Sequence, residues 1–102
     1  MVSCDDYNLG CSGGNLYTAM AYLEHTGVVT EKCMPYVSGD GEVPDCPTTC
    51  ASGTWKKYNC VIDSTVEATN PDEIKSEIYK NGPMETGFMV YDDFMNYKSG
   101  VY

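Results

Sequence analysis

The sequence predicts an α+β fold, with a helix and a disulfide-bonded loop early in the chain and alternating strands later. Three observations lead to this prediction. Two segments carry apolar residues at helical spacing between capping residues, two others alternate apolar and polar residues, and six cysteines lie within the first 60 residues. At 102 residues, the chain is one small domain or a piece of a larger one.

The first predicted helix covers residues 14–26. Asn15 is a suitable N-cap, and Gly27 follows the last turn as a stop signal. His25 falls in that last turn, where it is a partner for the helix dipole rather than a catalyst. The apolar stripe that defines the helix comprises Leu16, Ala19, Met20 and Leu23.

The segment that follows the first helix is a long loop and then a strand. Residues 35–54 are rich in proline and glycine and poor in apolar side chains, so we expect covalent cross-links to keep them ordered. Residues 60–68 alternate apolar and polar side chains, which predicts a strand.

The second predicted helix covers residues 70–82. Asn70 is the N-cap, Glu73 completes a capping box, and Gly82 ends the helix in a left-handed conformation. Residues 84–91 then alternate as a strand. Because a further strand begins at the very last residues, we expect the chain to be an interior piece of a longer protein.

The charge of the chain excludes several classes of partner. The net charge is -9, and all six basic residues are lysine. Phosphate groups are bound by clusters of Lys or Arg, so we expect no nucleic-acid partner and no anionic membrane partner. No apolar run approaches the roughly 20 residues of a membrane span.

The cysteine content indicates an oxidising compartment. Six cysteines allow 15 pairings, and their spacing does not choose among these. Structural zinc is the less favoured alternative, because three residues rather than two lie between Cys46 and Cys50 and the chain has a single histidine. We therefore predict no metal and no cofactor.

The residues alone do not assemble a catalytic site. There is no G-x-S-x-G element and no H-E-x-x-H element. The adjacent carboxylates of Asp5 and Asp6, and those of Asp92 and Asp93, favour solvated turns over paired acid–base work. Composition and spacing therefore indicate only an acidic, disulfide-stabilised domain.

Five sequence elements, taken in order, carry more information. Together they resemble cathepsin B-like members of the papain family of cysteine proteases, over essentially the whole chain. In particular, they include a G-C-x-G-G element and an F-x-x-Y-x-S-G-V-Y element. The five elements are Val2–Asp5 with Gly10–Gly14, Cys33–Tyr36, the Cys46 and Cys50 pair, Lys80–Glu85 and Phe94–Tyr102.

The resemblance implies a two-lobed fold with the active-site cleft between the lobes. Residues 1–57 would form part of the helical lobe, and residues 58–102 part of an antiparallel, β-barrel-like lobe. In the family, the nucleophilic cysteine precedes a tryptophan upstream of this region, and the catalytic His and Asn lie downstream. Here the only tryptophan, Trp55, follows Thr54. The resemblance therefore implies an internal fragment that has no catalytic residue and no peptidase activity by itself.

The resemblance also implies a substrate-binding role for seven residues. Ser12 and Gly13 would wall the first pocket, and the backbone of Gly14 would pair with the residue second before the scissile bond. The second pocket would be lined by Asn15 and Leu16, with Met84 near it and Gly87 on its opposite wall. A turn that merely precedes a helix is the alternative interpretation of the two glycines.

Disulfide pairings are implied in the same way, as Cys4–Cys46 and Cys33–Cys50. Cys11 would pair with an upstream cysteine, and Cys60 departs from the family pattern, so these two either pair with each other or stay free thiols. Only nine residues, Val37–Asp45, separate the Cys33–Tyr36 element from Cys46. Because the histidine-bearing occluding insertion is missing there, the resemblance implies an endopeptidase with an open cleft.

The function implied is therefore that of a fragment of a papain-like cysteine endopeptidase, acting by thiol acyl transfer in a lysosomal, vacuolar or secreted parent enzyme. Its partners would be a peptide or protein substrate and the missing protease segments or a partner chain. The alternative is a catalytically inactive, protease-derived structural or interaction protein.

Overall fold

The structure, a computed structural model, describes residues 1–102. The chain forms two compact units, Met1–Glu67 and Ala68–Tyr102. The lobe boundary after residue 57, which the resemblance implies, stays a prediction. The regular elements are helix α1 (Leu16–His25), helix α2 (Pro71–Asn81) and two short 3₁₀ helices (Gly10–Ser12 and Asp92–Asn96).

Helix α1 begins and ends where its capping chemistry places it. The Asn15 side chain accepts a hydrogen bond from the Tyr17 amide at 2.8 Å, which satisfies one of the free N–H groups of the first turn. At the other end, Gly27 has a φ of +73° and its amide bonds back to the Tyr22 carbonyl. The predicted helix over residues 14–26 is thereby confirmed to within two residues.

Helix α2 confirms the second prediction. The Asn70 side chain accepts from the Glu73 amide at 3.0 Å, and the Glu73 carboxylate accepts from the Thr69 amide at 3.3 Å. The reciprocal bond thus falls one residue before the usual capping-box position. Gly82 has φ +97° and ψ -158°, so a glycine is needed there, but the conformation is not the left-handed helical one that the sequence predicts.

The strands predicted over residues 60–68 and 84–91 are not formed in this structure. A single isolated antiparallel bridge joins Val28 and Tyr58, with N···O distances of 3.0 and 2.7 Å. A strand is stabilised by pairing with a neighbouring strand, and neither segment has one within this chain. The β-barrel-like lobe therefore stays a prediction.

The first unit is organised around Tyr22 and two disulfides. Tyr22 is only 2% exposed and packs edge-on against Tyr7, with 5.9 Å between the ring centroids. Burial, together with the charges of Asp5 and Asp6, raises the pKa of the Tyr22 hydroxyl. The predicted apolar stripe packs less deeply, since Leu16 remains 46% exposed.

The disulfides join Cys4 to Cys46 and Cys33 to Cys50, with Cα–Cα distances of 4.8 and 4.4 Å. These are the pairings that the resemblance implies. They tie the second half of the proline- and glycine-rich loop, which has no helix or strand of its own, to the start of the chain and to the buried Cys33. Cys11 is a free, exposed thiol, and so is the other unpaired cysteine, Cys60.

The second unit ends in an aromatic cluster centred on Phe94. Its ring lies 5.1 Å from Phe88, 5.9 Å from Tyr97 and 4.9 Å from Tyr102, measured between ring centroids. The Tyr102 hydroxyl donates to the Asp93 carboxylate at 2.7 Å, and this bond raises the pKa of Tyr102. The aromatic residues of the Phe94–Tyr102 element thus pack against one another at the C-terminal end of the chain.

Candidate functional site

The loop before helix α1 is closed by its own backbone. The Leu9 amide donates to the Gly13 carbonyl at 2.9 Å, and the Gly13 amide donates to the Gly10 carbonyl at 3.2 Å. The short 3₁₀ helix lies inside this ring and carries Ser12 at its end. The glycine strip, defined here as Gly13 and Gly14, is therefore presented on a fixed loop rather than on a free one.

The two glycines of the strip are required for different reasons. Gly13 has φ +97° and ψ -164°, a conformation that side chains strain, although no atom lies within 4 Å of the position that a Cβ would take. At Gly14 there is no room for a side chain, because a Cβ would lie 2.7 Å from Cγ of Asn8. The outer face of the strip is open, and both residues are exposed.

Gly14 is also unusual in its backbone bonding. Its N–H and C=O groups form no hydrogen bond within the chain, whereas both backbone polar groups of Gly13 are paired. An exposed donor and acceptor on one residue is the arrangement that an added peptide strand requires. The strip therefore offers one complete main-chain pairing position.

A polar network anchors the strip from behind. The Asp5 carboxylate accepts from the Tyr7 amide at 3.0 Å and from the Asn8 side-chain amide at 2.8 Å. The Asn8 carbonyl oxygen in turn accepts from the Asn15 amide at 2.9 Å and from the Thr18 hydroxyl at 2.6 Å. Asp5 is buried, so its prediction as a solvated turn residue is wrong; its neighbour Asp6 is exposed, as that prediction requires.

A depression of about 270 Å³ lies beside the strip in the first unit. It brings together four of the five residues predicted there for substrate binding, and Ser12 lies outside its lining. The lining combines polar side chains, among them those of Asp5 and Asn8, with apolar side chains such as that of Leu16. The lining residues are Met1, Val2, Asp5, Asn8, Gly10, Gly13, Gly14, Asn15, Leu16 and Ala19.

The remaining two predicted site residues belong to the second unit. Met84 is half-buried and Gly87 is exposed, and both lie in the irregular stretch between helix α2 and the second 3₁₀ helix. A Cβ added at Gly87 would meet no atom within 4 Å. Packing inside this unit therefore gives no reason for glycine at position 87.

The site contains no assembled nucleophile and base. Cys11 precedes helix α1 and is close in sequence to the strip, whereas His25 lies at the far end of that helix, which is about 15 Å long. No hydrogen bond involves the His25 ring, and no cluster of His, Cys, Asp or Glu side chains is arranged to hold a metal ion. Neither helix is both long and apolar enough to cross a membrane.

One residue that sequence reasoning missed is Glu24. The residue is 8% exposed, and its carboxylate accepts from the Thr65 hydroxyl at 2.5 Å, the Thr65 amide at 2.9 Å and the Asp63 amide at 3.2 Å. These bonds, the hydroxyl first, lower the pKa of Glu24. No local pattern signals the contact, because the partners are separated by 41 residues.

Comparison with known proteins places these observations in context. The family model described as "Papain family cysteine protease" matches residues 1–102. Cathepsin B-like CP3 of Giardia intestinalis is 39% identical over 107 residues, which cover 100% of this chain and 35% of that protein. Cathepsin B-like protease 1 of Arabidopsis thaliana is 38% identical over 108 residues, covering 91% of this chain and 28% of that protein.

A third relative is cathepsin B of Dictyostelium discoideum, which is 34% identical over 116 residues. That match covers 100% of this chain and 37% of the relative. The chain thus spans about a third of the length of the curated relatives it matches.

Proposed function

The chain belongs to the papain family of cysteine proteases, and we propose that it is the substrate-binding segment of a cathepsin B-like cysteine endopeptidase. Family membership fits a papain-like fold and a cysteine peptidase activity in the complete protein. Residues 1–102 contribute substrate-binding groups to that activity.

The observation that carries the proposal is the free main-chain pair on Gly14. An extended substrate binds such a position by donating its N–H to the Gly14 carbonyl and accepting from the Gly14 amide. Because Gly13 has no side chain, a substrate backbone can approach Gly14 from that side. The internal bonds of the loop hold this pair in place before the substrate arrives, which reduces the entropy cost of binding.

Side-chain pockets flank this main-chain pair in the proposal. Ser12 and Gly13 form the wall of the first pocket, and Asn15 and Leu16 line the second. The depression beside the strip, which both Asn15 and Leu16 border, supports the second assignment. Leu16 is partly exposed, so an apolar side chain is available there for a substrate to cover.

In the second unit, the proposal assigns Met84 and Gly87 to substrate contact on the resemblance alone. It also assigns residues 58–102 to the β-barrel-like lobe of the complete enzyme, and residues 1–57 to the helical lobe. The alternating residues 84–91 then pair with strands that lie outside this chain. Their exposed apolar side chains, among them Phe88 and Val90, support such pairing.

Catalysis in this proposal is supplied by segments outside residues 1–102. A cysteine thiolate held by a protonated imidazole attacks the peptide carbonyl, the amine leaves with a proton, and water hydrolyses the resulting thioester. The role of the glycine strip is to hold the scissile bond in register with that thiolate. Correct positioning of this kind supplies a substantial part of the rate enhancement.

The cleft is proposed to be open to internal peptide bonds. Residues 37–45 contain no histidine and include a tight turn. Within it, the Gly41 amide bonds to the Ser38 carbonyl and the Glu42 amide to the Asp40 carboxylate, both at 3.0 Å. A segment this short has no spare length to cover a neighbouring cleft.

Two disulfides also fit an oxidising compartment, and we place the parent enzyme in a lysosome or vacuole, or outside the cell.

The test is hydrolysis of internally quenched peptides by the full-length protein that contains residues 1–102. We expect cleavage at internal bonds and loss of cleavage after alkylation of the active-site thiol. Release of C-terminal dipeptides alone would contradict the open cleft. An absence of any cleavage by the folded, reduced protein would instead support the inactive structural or interaction protein.

A further inference from the structure

We propose that Asn8 is a positioning residue that aims the carbonyl oxygen of Gly14 at the substrate, an inference that rests on the proposed function. Asn8 lies behind the glycine strip, within the depression's lining. Its side chain contacts the strip from inside, because a Cβ on Gly14 would lie 2.7 Å from Cγ of Asn8. Neither the resemblance nor the sequence pattern singles this residue out.

Peptide geometry gives Asn8 its control over Gly14. All peptide bonds of the chain are trans, so the C=O of one residue and the N–H of the next point in opposite directions from one plane. The Asn15 N–H donates to the Asn8 side-chain oxygen at 2.9 Å. The Gly14 carbonyl, which shares that plane, therefore points away from Asn8 and outward from the loop.

The direction of the Gly14 N–H does not depend on Asn8. Its N–H shares a peptide plane with the Gly13 carbonyl, which accepts from the Leu9 amide at 2.9 Å. The Gly14 N–H therefore points away from Leu9 without help from Asn8. Removal of the Asn8 side chain should disturb one of the two main-chain bonds to the substrate and spare the other.

Asn8 is itself held in a single orientation. Its NH₂ group donates to the buried Asp5 carboxylate at 2.8 Å, and only a donor can face that group. The side-chain oxygen must then face the Asn15 amide and the Thr18 hydroxyl. The chain of bonds from Asp5 through Asn8 to Asn15 fixes the direction of the Gly14 carbonyl.

The experiment is a cycle that combines a protein variant with a substrate change in the full-length enzyme. The kcat/KM is measured for a peptide and for its analogue N-methylated at the residue second before the scissile bond, which lacks the N–H donor to Gly14. We expect N-methylation to lower kcat/KM about tenfold in the wild type, as loss of one hydrogen bond does. In Asn8→Ala, we expect the unmodified peptide to lose about tenfold and methylation to cost less than about twofold more.

Two further variants separate positioning from stability. The exchange Asp5→Asn with Asn8→Asp reverses the donor and acceptor between the two side chains and keeps an oxygen facing Asn15, so it should restore the sensitivity to N-methylation. Asn59→Ala is the matched control. The Asn59 side chain donates to the Glu24 carbonyl at 3.3 Å and abuts Gly27 as Asn8 abuts Gly14, but it touches no part of the strip.

The outcomes distinguish this inference from the proposed function. A wild-type enzyme that is indifferent to N-methylation would overturn the strip assignment, and the role of Asn8 with it. If N-methylation lowers kcat/KM equally in the wild type and in Asn8→Ala, the role of Asn8 alone is overturned. The same follows if N-methylation has no effect on kcat/KM in Asn59→Ala. If Asn8→Ala does not fold, Thr18→Val removes one donor to the Asn8 oxygen, and an unchanged sensitivity in that variant would count against the inference.

Discussion

At the scale of single residues, the glycine strip shows two separate uses of a missing side chain. Gly13 allows a backbone conformation that other residues strain, and Gly14 leaves room for Asn8. The resemblance assigned both glycines to substrate binding. The structure adds an internal requirement at Gly14, so loss of turnover in a Gly14 variant cannot by itself establish substrate contact.

The internal requirement at Gly14 predicts a cost in stability. Gly14→Ala should lower the free energy of unfolding of the full-length protein by about 1–3 kcal/mol, because its Cβ overpacks against Asn8. The matched control is Gly39→Ala, since Gly39 has no positive φ and no atom near the position of a Cβ. Denaturant unfolding measures both, and equal stabilities of the two variants would contradict the packing argument.

The Glu24 carboxylate predicts a pH dependence. Its folded-state pKa lies below its ordinary value of 4.5, so its contribution to stability is present above pH 4.5 and is lost as the pH falls below 4.5 toward the folded-state pKa. Glu24→Gln should therefore lower the melting temperature near neutral pH, and the difference from wild type should shrink in acid.

Thermal unfolding of the full-length protein across this pH range checks the prediction. Glu67→Gln makes the same chemical change at an exposed glutamate whose carboxylate accepts no hydrogen bond, and its effect should be small at every pH. A constant difference between Glu24→Gln and wild type from acid to neutral pH would show that the carboxylate does not act through its ionised form.

Polar contacts at this scale were only partly predictable. Asn15 and Asn70 were predicted as caps because a cap acts within three residues of itself. Asp5, Asn8 and Glu24 were not, since their partners are set by how separate segments pack. The sequence does not distinguish the adjacent acids Asp5 and Asp6, but in the structure only Asp5 is buried.

At the scale of elements, both helices follow from local chemistry and the predicted strands do not form. Helix α2 carries its own start and stop signals, so its bounds were predicted to within one residue. A strand over residues 84–91 depends instead on a neighbour that the chain does not supply. Apart from the half-buried Met84, these residues are exposed here.

The capping of helix α2 gives a prediction at this scale. Asn70→Ala removes the acceptor for the Glu73 amide and should lower the free energy of unfolding of the full-length protein by about 1 kcal/mol. Asn70→Asp keeps an acceptor and should cost much less. Denaturant unfolding compares the two, and an Asn70→Ala protein as stable as Asn70→Asp would contradict the cap.

At the scale of the whole molecule, covalent bonds replace part of a hydrophobic core. The only buried hydrophobic side chains are Tyr22 and Cys33, both in the first unit. Helix α2 in the second unit buries none, and its apolar residues Ile74 and Ile78 stay 37% and 48% exposed. Such surfaces favour association with further protein, which supports the proposal that the remaining protease segments cover them.

The Cys4–Cys46 disulfide should therefore contribute strongly to stability. Its sequence separation of 42 residues corresponds to about 4 kcal/mol in the chain-entropy model. Replacement of both cysteines by alanine should lower the free energy of unfolding of the full-length protein by about 4 kcal/mol. Replacement of the free, exposed Cys60 by alanine is the control and should change stability by less than about 0.5 kcal/mol. Equal stabilities of the two variants in denaturant unfolding would rule out the cross-link as a main support of this unit.

The most direct measurement is a crystal structure of the full-length protein with a peptide aldehyde bound to its active-site thiol. We predict that the residue second before the aldehyde lies antiparallel to Gly14, with both N···O distances between about 2.7 and 3.2 Å. A peptide that is bound covalently but makes neither hydrogen bond to Gly14 would contradict the proposed role of the glycine strip.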